Sequence, residues 1–446
     1  MERDAIDFSS GRVSRLFRKL FFPTLMGMLS WSAVTVADGI FVGHGVGSNG
    51  IAAINICAPL FMIFTGIGLL FGAGCSVVAS VHVSKGNIKA ARLNITQAMG
   101  AATLIALLLC VVILSAPSAV ARLFGSSQTL MPLVLEYMIV LMPGLLFQIW
   151  ESVAMFVIRL DGSPKYAMWC CVVPAALNFI LDWIFIFPLN MGLFGASLAS
   201  TICMALGGVM TMAYLLFFAR SLKMCSLKLT RKSMMLSLRN IGYQCRIGSS
   251  GLLGEATMAM LMLVGNLTFM HYLGDDGVGA FGVACYYMPF IFMVGNAIAQ
   301  SAQPIISYSY GRGDLVRVKE GVRISLSTAL VCGLIATFVF MLFLSLLVDF
   351  FIEDDGAAVI AKKGFPYIAL GFVFFIANIA VIGYYQSLEK TLPATIFALL
   401  RGCIFLVAGF LIMPYLFGAV GIWLALPFAE VATTVAIVLY SLVWCE

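Results

Sequence analysis

The chain has 446 residues, of which 62% are hydrophobic and only 10% charged, and its 26 Lys+Arg against 20 Asp+Glu give a formal net charge of +6. Soluble proteins average roughly 25% charged residues, so this composition excludes a molecule whose surface mainly faces water. The positive balance does not argue for nucleic acid, because the bases are scattered over short connecting segments and form no basic domain.

Apolar stretches of the ~20 residues needed to cross ~30 Å of hydrocarbon recur along the whole chain, which excludes a lone signal peptide. Twelve spans are predicted, over residues 16–42, 50–83, 95–115, 131–158, 167–189, 192–219, 243–271, 277–310, 322–350, 358–386, 393–415 and 417–444. The fold class is therefore an all-α polytopic membrane protein, with the lipid bilayer as its solvent. Twelve spans put both termini on one side. The amino-terminal segment and the loops of that side, flanks included, hold 23 of the 26 Lys+Arg, and no Lys or Arg is placed near a span centre. The other side keeps Arg122, Lys362 and Lys363 together with the acidic pairs Asp275, Asp276 and Asp354, Asp355. Positive charge stays inside, so both termini are expected in the cytoplasm.

The segment RSLKMCSLKLTRKSMMLSLRN, at mid-chain, is the longest polar stretch between spans. It predicts an N-lobe over 1–219, a basic cytoplasmic linker over 220–242 and a C-lobe over 243–446. A shift of 227 residues lays SNGIAAINICAPLFMIFTGIG over DDGVGAFGVACYYMPFIFMVG without a gap. It pairs His44 with His271, Gly47 with Gly274, Gly68 with Gly295, Ser80 with Ser307 and Gly86 with Gly313. Further on, Pro164 meets Pro393 and Gly192 meets Gly418. Six spans per half is an even number, so both halves enter from the same side. They form a parallel repeat about an axis along the membrane normal, with a cavity expected between them and rocking as the expected motion.

Twelve cysteines, mostly inside spans, read as small apolar fillers. His44, His82 and His271 are too scattered for a transition-metal site. Asp38, Glu151, Asp182, Glu255 and Glu430 fall well inside spans. An ionised acid there costs several kcal/mol unless it is solvated, paired or protonated. With no basic partner placed near a span centre, each is expected to hold a proton, bind a cation or face water. Asn178 and Asp182 are four apart and so share a helix face. With Asp38 and the hydroxyls of Ser197, Ser200 and Thr201 they make an oxygen-only set suited to Na⁺ or to a shared proton. The other reading of Asn178 and Asp182 is helix-to-helix hydrogen bonding. Pro23, fifteen residues ahead of Asp38, reads either as a kink coupled to that acid or as an end-of-helix proline.

These stretches resemble the multidrug and toxic compound extrusion (MATE) transporters. The motifs are FFPTLMGMLSWSAVTVADGIFVGHGVG, RLDGSPKYAMWCCVVPAALNFILDWIFIF, GLFGASLASTI and GYYQSLEKTLPA with LFGAVGIWLALPFAE. The similarity covers essentially the whole chain, and the final third is most like the DinF-like bacterial branch. It implies antiport of small amphipathic, often cationic compounds against H⁺ or Na⁺, with no cofactor beyond the coupling ion and a monomer as the working unit. It also implies coupling roles for Asp38, Asn178 and Asp182. The span-6 pattern of the family ends in Ala-Thr where this chain has Ala199-Ser200 followed by Thr201, leaving either hydroxyl as the donor. Glu255 matches a span-7 acid of some relatives; the span-10 acid is replaced by Asn378. Glu255 is therefore a candidate for C-lobe coupling, for attracting substrate charge, or for packing as a neutral acid.

Two rival functions stand beside this reading. A flippase for a lipid-linked precursor shares the broader fold, but its anionic cargo calls for Arg or Lys in the cavity, and the span centres have none. An intramembrane enzyme would need a Ser/His pair, an HExxH motif or paired catalytic acids within reach; no HExxH occurs and the histidines lie at span ends, and no GxxxxGK loop points to ATP either.

Overall fold

The computed structural model describes residues 6–227, 230–349 and 355–443, apart from the side chains of 48, 275 and 355. Arg3, Lys228 and Asp354 of the charge count lie outside the described residues. In chain order the helices are α1 (Val13–Gly45), α2 (Ser48–Ser84), α3 (Ile88–Ser115), α4 (Pro117–Leu123), α5 (Met131–Leu160), α6 (Pro164–Ile186) and α7 (Gly192–Ala213). Then come α8 (Arg231–Gly274), α9 (Asp276–Gly311), α10 (Leu315–Leu342), α11 (Leu344–Asp349), α12 (Asp355–Ala369), α13 (Phe372–Ser387), α14 (Thr391–Phe417) and α15 (Ala419–Val443). The described residues hold no strand. Eleven of these helices are long and apolar enough to span a bilayer, and α12 with α13 makes a twelfth, bent by 46°. The chain is thus an all-α polytopic membrane protein.

Local chemistry sets the helix ends. Asn87 caps α3 by accepting from the Ala90 N–H (3.2 Å), and Thr230 caps α8 by accepting from the Ser233 N–H (3.3 Å). That cap starts α8 inside the stretch expected as linker, so residues 231–242 are helical and the irregular part ends at Thr230. Expected span 10 is broken at Leu370–Gly371. The Ala369 carbonyl freed by the break accepts from the Thr337 hydroxyl (2.9 Å), which replaces the lost helical bond. Pro23 lies ten residues past Val13, within a continuous α1, so the end-of-helix reading fails.

The internal repeat is visible in the backbone. Gly47 and Gly274 have φ of 90° and 67°, Gly86 and Gly313 both 75°, and Gly192 and Gly418 58° and 59°. At the fourth pair Gly162 (φ 86°) is matched by Glu389 (φ 57°), a left-handed conformation that disfavours any residue with a Cβ.

The chain divides into two compact units, Met1–Leu252 with Ser307–Leu315, and Leu253–Ile306 with Val316–Glu446. In the first unit α5 is central, packing on α2, α3 and α7, while α6 joins α1 to α7. The start of α8 crosses α2 at two glycines: a Cβ on Gly74 would strike the Gln244 carbonyl, and one on Gly248 the Leu70 carbonyl. Small residues at such crossings let the two backbones touch. Asp161 ties the mid-chain segment down, accepting from Tyr214 Oη (2.9 Å), from the N–H groups of Arg220 (2.7 Å), Ser221 (3.0 Å) and Leu222 (3.1 Å), and from Ser221 Oγ (3.0 Å). In the second unit α15 packs on α12, α13 and α14 around Ile382, Tyr385, Phe397 and Ile437. Leucines, valines and phenylalanines such as Leu108, Val111, Leu334 and Phe338 point outward, as a lipid-facing surface requires.

Candidate functional site

In the first unit α1 and α6 run side by side, and their ends coincide where a Cβ on Gly45 would strike Ile186. The Phe41 ring stands edge-on to Phe179 (4.8 Å between centroids) and Phe187 (6.2 Å), which fixes the register of the pair. That register sets Asp38, seven residues before Gly45, beside Asp182, four before Ile186. The two carboxyl groups are close enough to influence one another, and the Ser200 hydroxyl from α7 lies near Asp38. Asn178, one turn before Asp182, lies on the same face. Tyr137 of α5 borders the acids from the third side.

Asp182 is fully buried, and Asn178 and Ser200 are 2% and 5% exposed. Both oxygens of Asp182, both polar atoms of Asn178 and Oδ1 of Asp38 are buried with no hydrogen-bond partner of ordinary length. Polar atoms in an interior are otherwise almost always satisfied. Two carboxylates side by side at low dielectric cannot both stay bare anions, so such a pair calls for a shared proton or a cation. The donors fit a hard cation: they are all oxygen, apart from the Asn178 nitrogen. Thr201 is not part of this set. Its hydroxyl donates to the Val140 carbonyl on α5 (2.8 Å), which leaves Ser200 as the hydroxyl at Asp38. Ser197 likewise turns to the Phe194 carbonyl (3.0 Å).

Glu151 is 3% exposed and accepts from Trp31 Nε1 (3.3 Å); Gly207 lies against it, and a Cβ there would come within 2.6 Å of Oε2. It is a buried acid anchored between helices.

The second unit has no copy of the acid pair. The repeat partner of Asp38 is Gly265, and a Cβ there would strike the Phe281 ring, itself stacked on Phe269 (4.5 Å) with Trp423 edge-on to Phe269 (4.7 Å). An aromatic cluster fills the place of the acid. Glu255 is 9% exposed and makes no hydrogen bond or ion pair among the described residues. Asn378 is not its companion: its amide donates to Glu430 Oε2 (2.7 Å) and to the Glu430 carbonyl (2.9 Å), and accepts from Thr434 (2.9 Å).

The expectation that no Lys or Arg lies near a span centre is overturned by Arg401. It lies inside expected span 393–415, and in α14 it is ten residues past Thr391, close to the helix middle, and 3% exposed. Its Nε donates to Glu430 Oε1 (2.7 Å) and Oε2 (3.0 Å), and its guanidinium lies over the Phe375 ring at 4.1 Å. Burial is affordable because the charge is neutralised and stacked. Arg401 lies in a π-turn, Leu400–Ile404, which no local residue pattern signals. The signal that could have found the pair was Glu430 itself, an acid in a span lacking any motif.

The family model MatE matches residues 23–184 and 252–411, one match per half of the repeat. The chain is 24% identical over 437 residues to the multidrug export protein MepA of Staphylococcus aureus strain N315, covering 95% of this chain and 92% of that protein. Among solved structures it is similar to a MOP superfamily transporter from Pyrococcus furiosus Vc1, described as having a binding pocket of reverse polarity that suggests a different function. That likeness has a TM-score of 0.89 and 20% identity and covers 98% of this chain and 96% of the other. It is equally similar to an outward-facing multidrug resistance MATE family transporter, with a TM-score of 0.89, 19% identity and the same coverage. On the family match over both halves, the chain belongs to the MatE family of membrane transporters.

Proposed function

We propose that this protein is a secondary antiporter that exports amphipathic, cationic drugs or toxic compounds in exchange for H⁺ or Na⁺ by alternating access. The observation that carries the reading is the Asp38–Asp182 pair with Ser200 and Asn178: buried acids and an amide with unpartnered polar atoms and no basic neighbour of their own. Opening outward, the site takes a cation, which neutralises Asp38 and Asp182 and loosens a cationic substrate. Opening inward, the cation leaves and substrate rebinds. Coupling follows only if each ligand binds one state better than the other. The multidrug names of the MepA relatives support the cargo class, and Tyr137, Phe41 and Phe179 near the acids suit amphipathic molecules. No cofactor enters the scheme, and a single chain suffices. The skew of basic residues supports cytoplasmic termini in a bacterial inner membrane.

An anionic cargo, as a flippase would carry, is not favoured by Arg401, whose charge Glu430 neutralises. The test is substrate efflux from proteoliposomes under a pH gradient and, separately, a Na⁺ gradient. One gradient should drive export, and Asp38→Asn and Asp182→Asn should each abolish it. Efflux independent of both gradients would overturn the reading.

A further inference from the structure

On α10, Lys319, Val322, Arg323, Leu326, Ser327 and Leu330 follow one another at spacings of three, one, three, one and three, so they form a single stripe on one helix face. With Tyr384 of α13 they line a groove of about 460 Å³. Polarity changes along it. Lys319 lies four residues into α10, Arg323 one turn or ~6 Å deeper, and beyond them the stripe is apolar but for Ser327, whose hydroxyl already donates to the Ile324 carbonyl (3.0 Å). Both basic side chains are exposed, and neither is held in an ion pair among the described residues. Glu320 follows Lys319 directly and so points about 100° around the helix, off the stripe. Only 17% of the most apolar window of α10 is buried within the protein, the smallest share among the eleven spans, so this helix faces lipid.

A pair of cations at the water boundary above an apolar track that descends into hydrocarbon is complementary to one kind of molecule, an acyl chain carrying an anionic head. A soluble anion has no use for the track, and a zwitterionic lipid brings its own ammonium group to the cations. We propose that this groove binds an anionic phospholipid, its phosphate held by Lys319 and Arg323 and one acyl chain lying along Val322, Leu326 and Leu330. The site is independent of the antiport reading and rests only on α10 being a membrane span. The leaflet follows from the proposed topology, which sets the start of α10 on the cytoplasmic side, where anionic headgroups attract such residues.

The test is native mass spectrometry of the full chain in micelles supplied with equal amounts of phosphatidylglycerol and phosphatidylcholine. The expected preference for phosphatidylglycerol is about thirtyfold, since each basic residue near the surface contributes roughly a factor of five. Lys319→Gln with Arg323→Gln should bring the ratio close to one; both residues are exposed, so the fold is not at stake. Lys223→Gln with Arg231→Gln, basic residues off this groove, should leave it unchanged, and excess inorganic phosphate should not displace the lipid. Equal binding of the two lipids by the parent chain, a preference that survives the first pair of substitutions or is lost with the second, or displacement by phosphate would each overturn the proposal.

Discussion

Replacing Glu430 by alanine isolates the energetics of an ion pair buried within the spans. Glu430 is 1% and Arg401 3% exposed, and the carboxylate takes two contacts from Arg401 Nε, at 2.7 and 3.0 Å, and one from Asn378 Nδ2 at 2.7 Å. Glu430→Ala leaves the guanidinium buried with its counter-charge gone, and Phe375 retains only the stacking contact. Breaking such a pair costs about 3–5 kcal/mol. The Asn378 donor loses little, because the Glu430 backbone carbonyl still accepts from it at 2.9 Å. At about 2–4 °C per kcal/mol for a unit of this size, the melting point should fall by about 6 °C or more. The assay is size-exclusion chromatography after heating the detergent-purified chain through a temperature series. The double variant Arg401→Met with Glu430→Leu removes both charges and keeps the volume. It should regain most of the loss, giving a coupling of about 2 kcal/mol or more. A Glu430→Ala protein melting within about 1 °C of the parent, or a double variant no better than the single one, would refute the reasoning.

The other predictions concern packing and the polar anchors. Gly265→Ala pushes a methyl into the Phe281 ring, which is confined by Phe269, and should destabilise the second unit by about 1–3 kcal/mol; Phe281→Leu in the same chain should recover part of it in the same melting assay. Gly248→Leu, set against the Leu70 backbone, should prevent the α2–α8 crossing and remove the monodisperse elution peak. Asp161→Ala deletes the acceptor of five hydrogen bonds and should expose Arg220 and Lys223 to trypsin, while the parent resists; equal cleavage rates would show that the anchor is dispensable. At the amino terminus, the Ser9 hydroxyl (2.7 Å) and N–H (2.9 Å) hold the Asp7 carboxyl below its ordinary range. A lowered carboxyl stabilises the fold above its unfolded value and loses that contribution as pH falls. Hydrogen-exchange protection at Ser9 should therefore persist down through pH ~4, the ordinary carboxyl value, and be lost only at lower pH.

The spans were legible because a bilayer demands the same thing of every crossing segment: about twenty apolar residues with the backbone satisfied internally. The repeat was legible because positions such as Gly47, Gly86 and Gly192 and their partners adopt left-handed turns that few other residues tolerate. Glu389 at the fourth pair shows the limit of that signal, since the turn persists where the glycine does not. The residue types near Asp38 could be listed from the chain, for Asn178 and Asp182 share a face by spacing alone.

Which groups meet was decided elsewhere. Ser200 and Thr201 are neighbours in sequence and chemically alike, yet a helix turns by 100° between them, so one hydroxyl lies near Asp38 and the other reaches the Val140 carbonyl. The pairing of Arg401 was not legible because composition locates a residue along the chain but does not supply the partner on another helix. Glu430, 29 residues away, makes its burial tolerable. Sequence by itself determined the solvent, the number of crossings and the duplication, which depend on short-range pattern. Tertiary structure alone decided that Asp38 faces Asp182, that Phe281 closes the matching place in the second unit, and that Arg401 is paired, because each depends on the rotation and register of helices packed against one another.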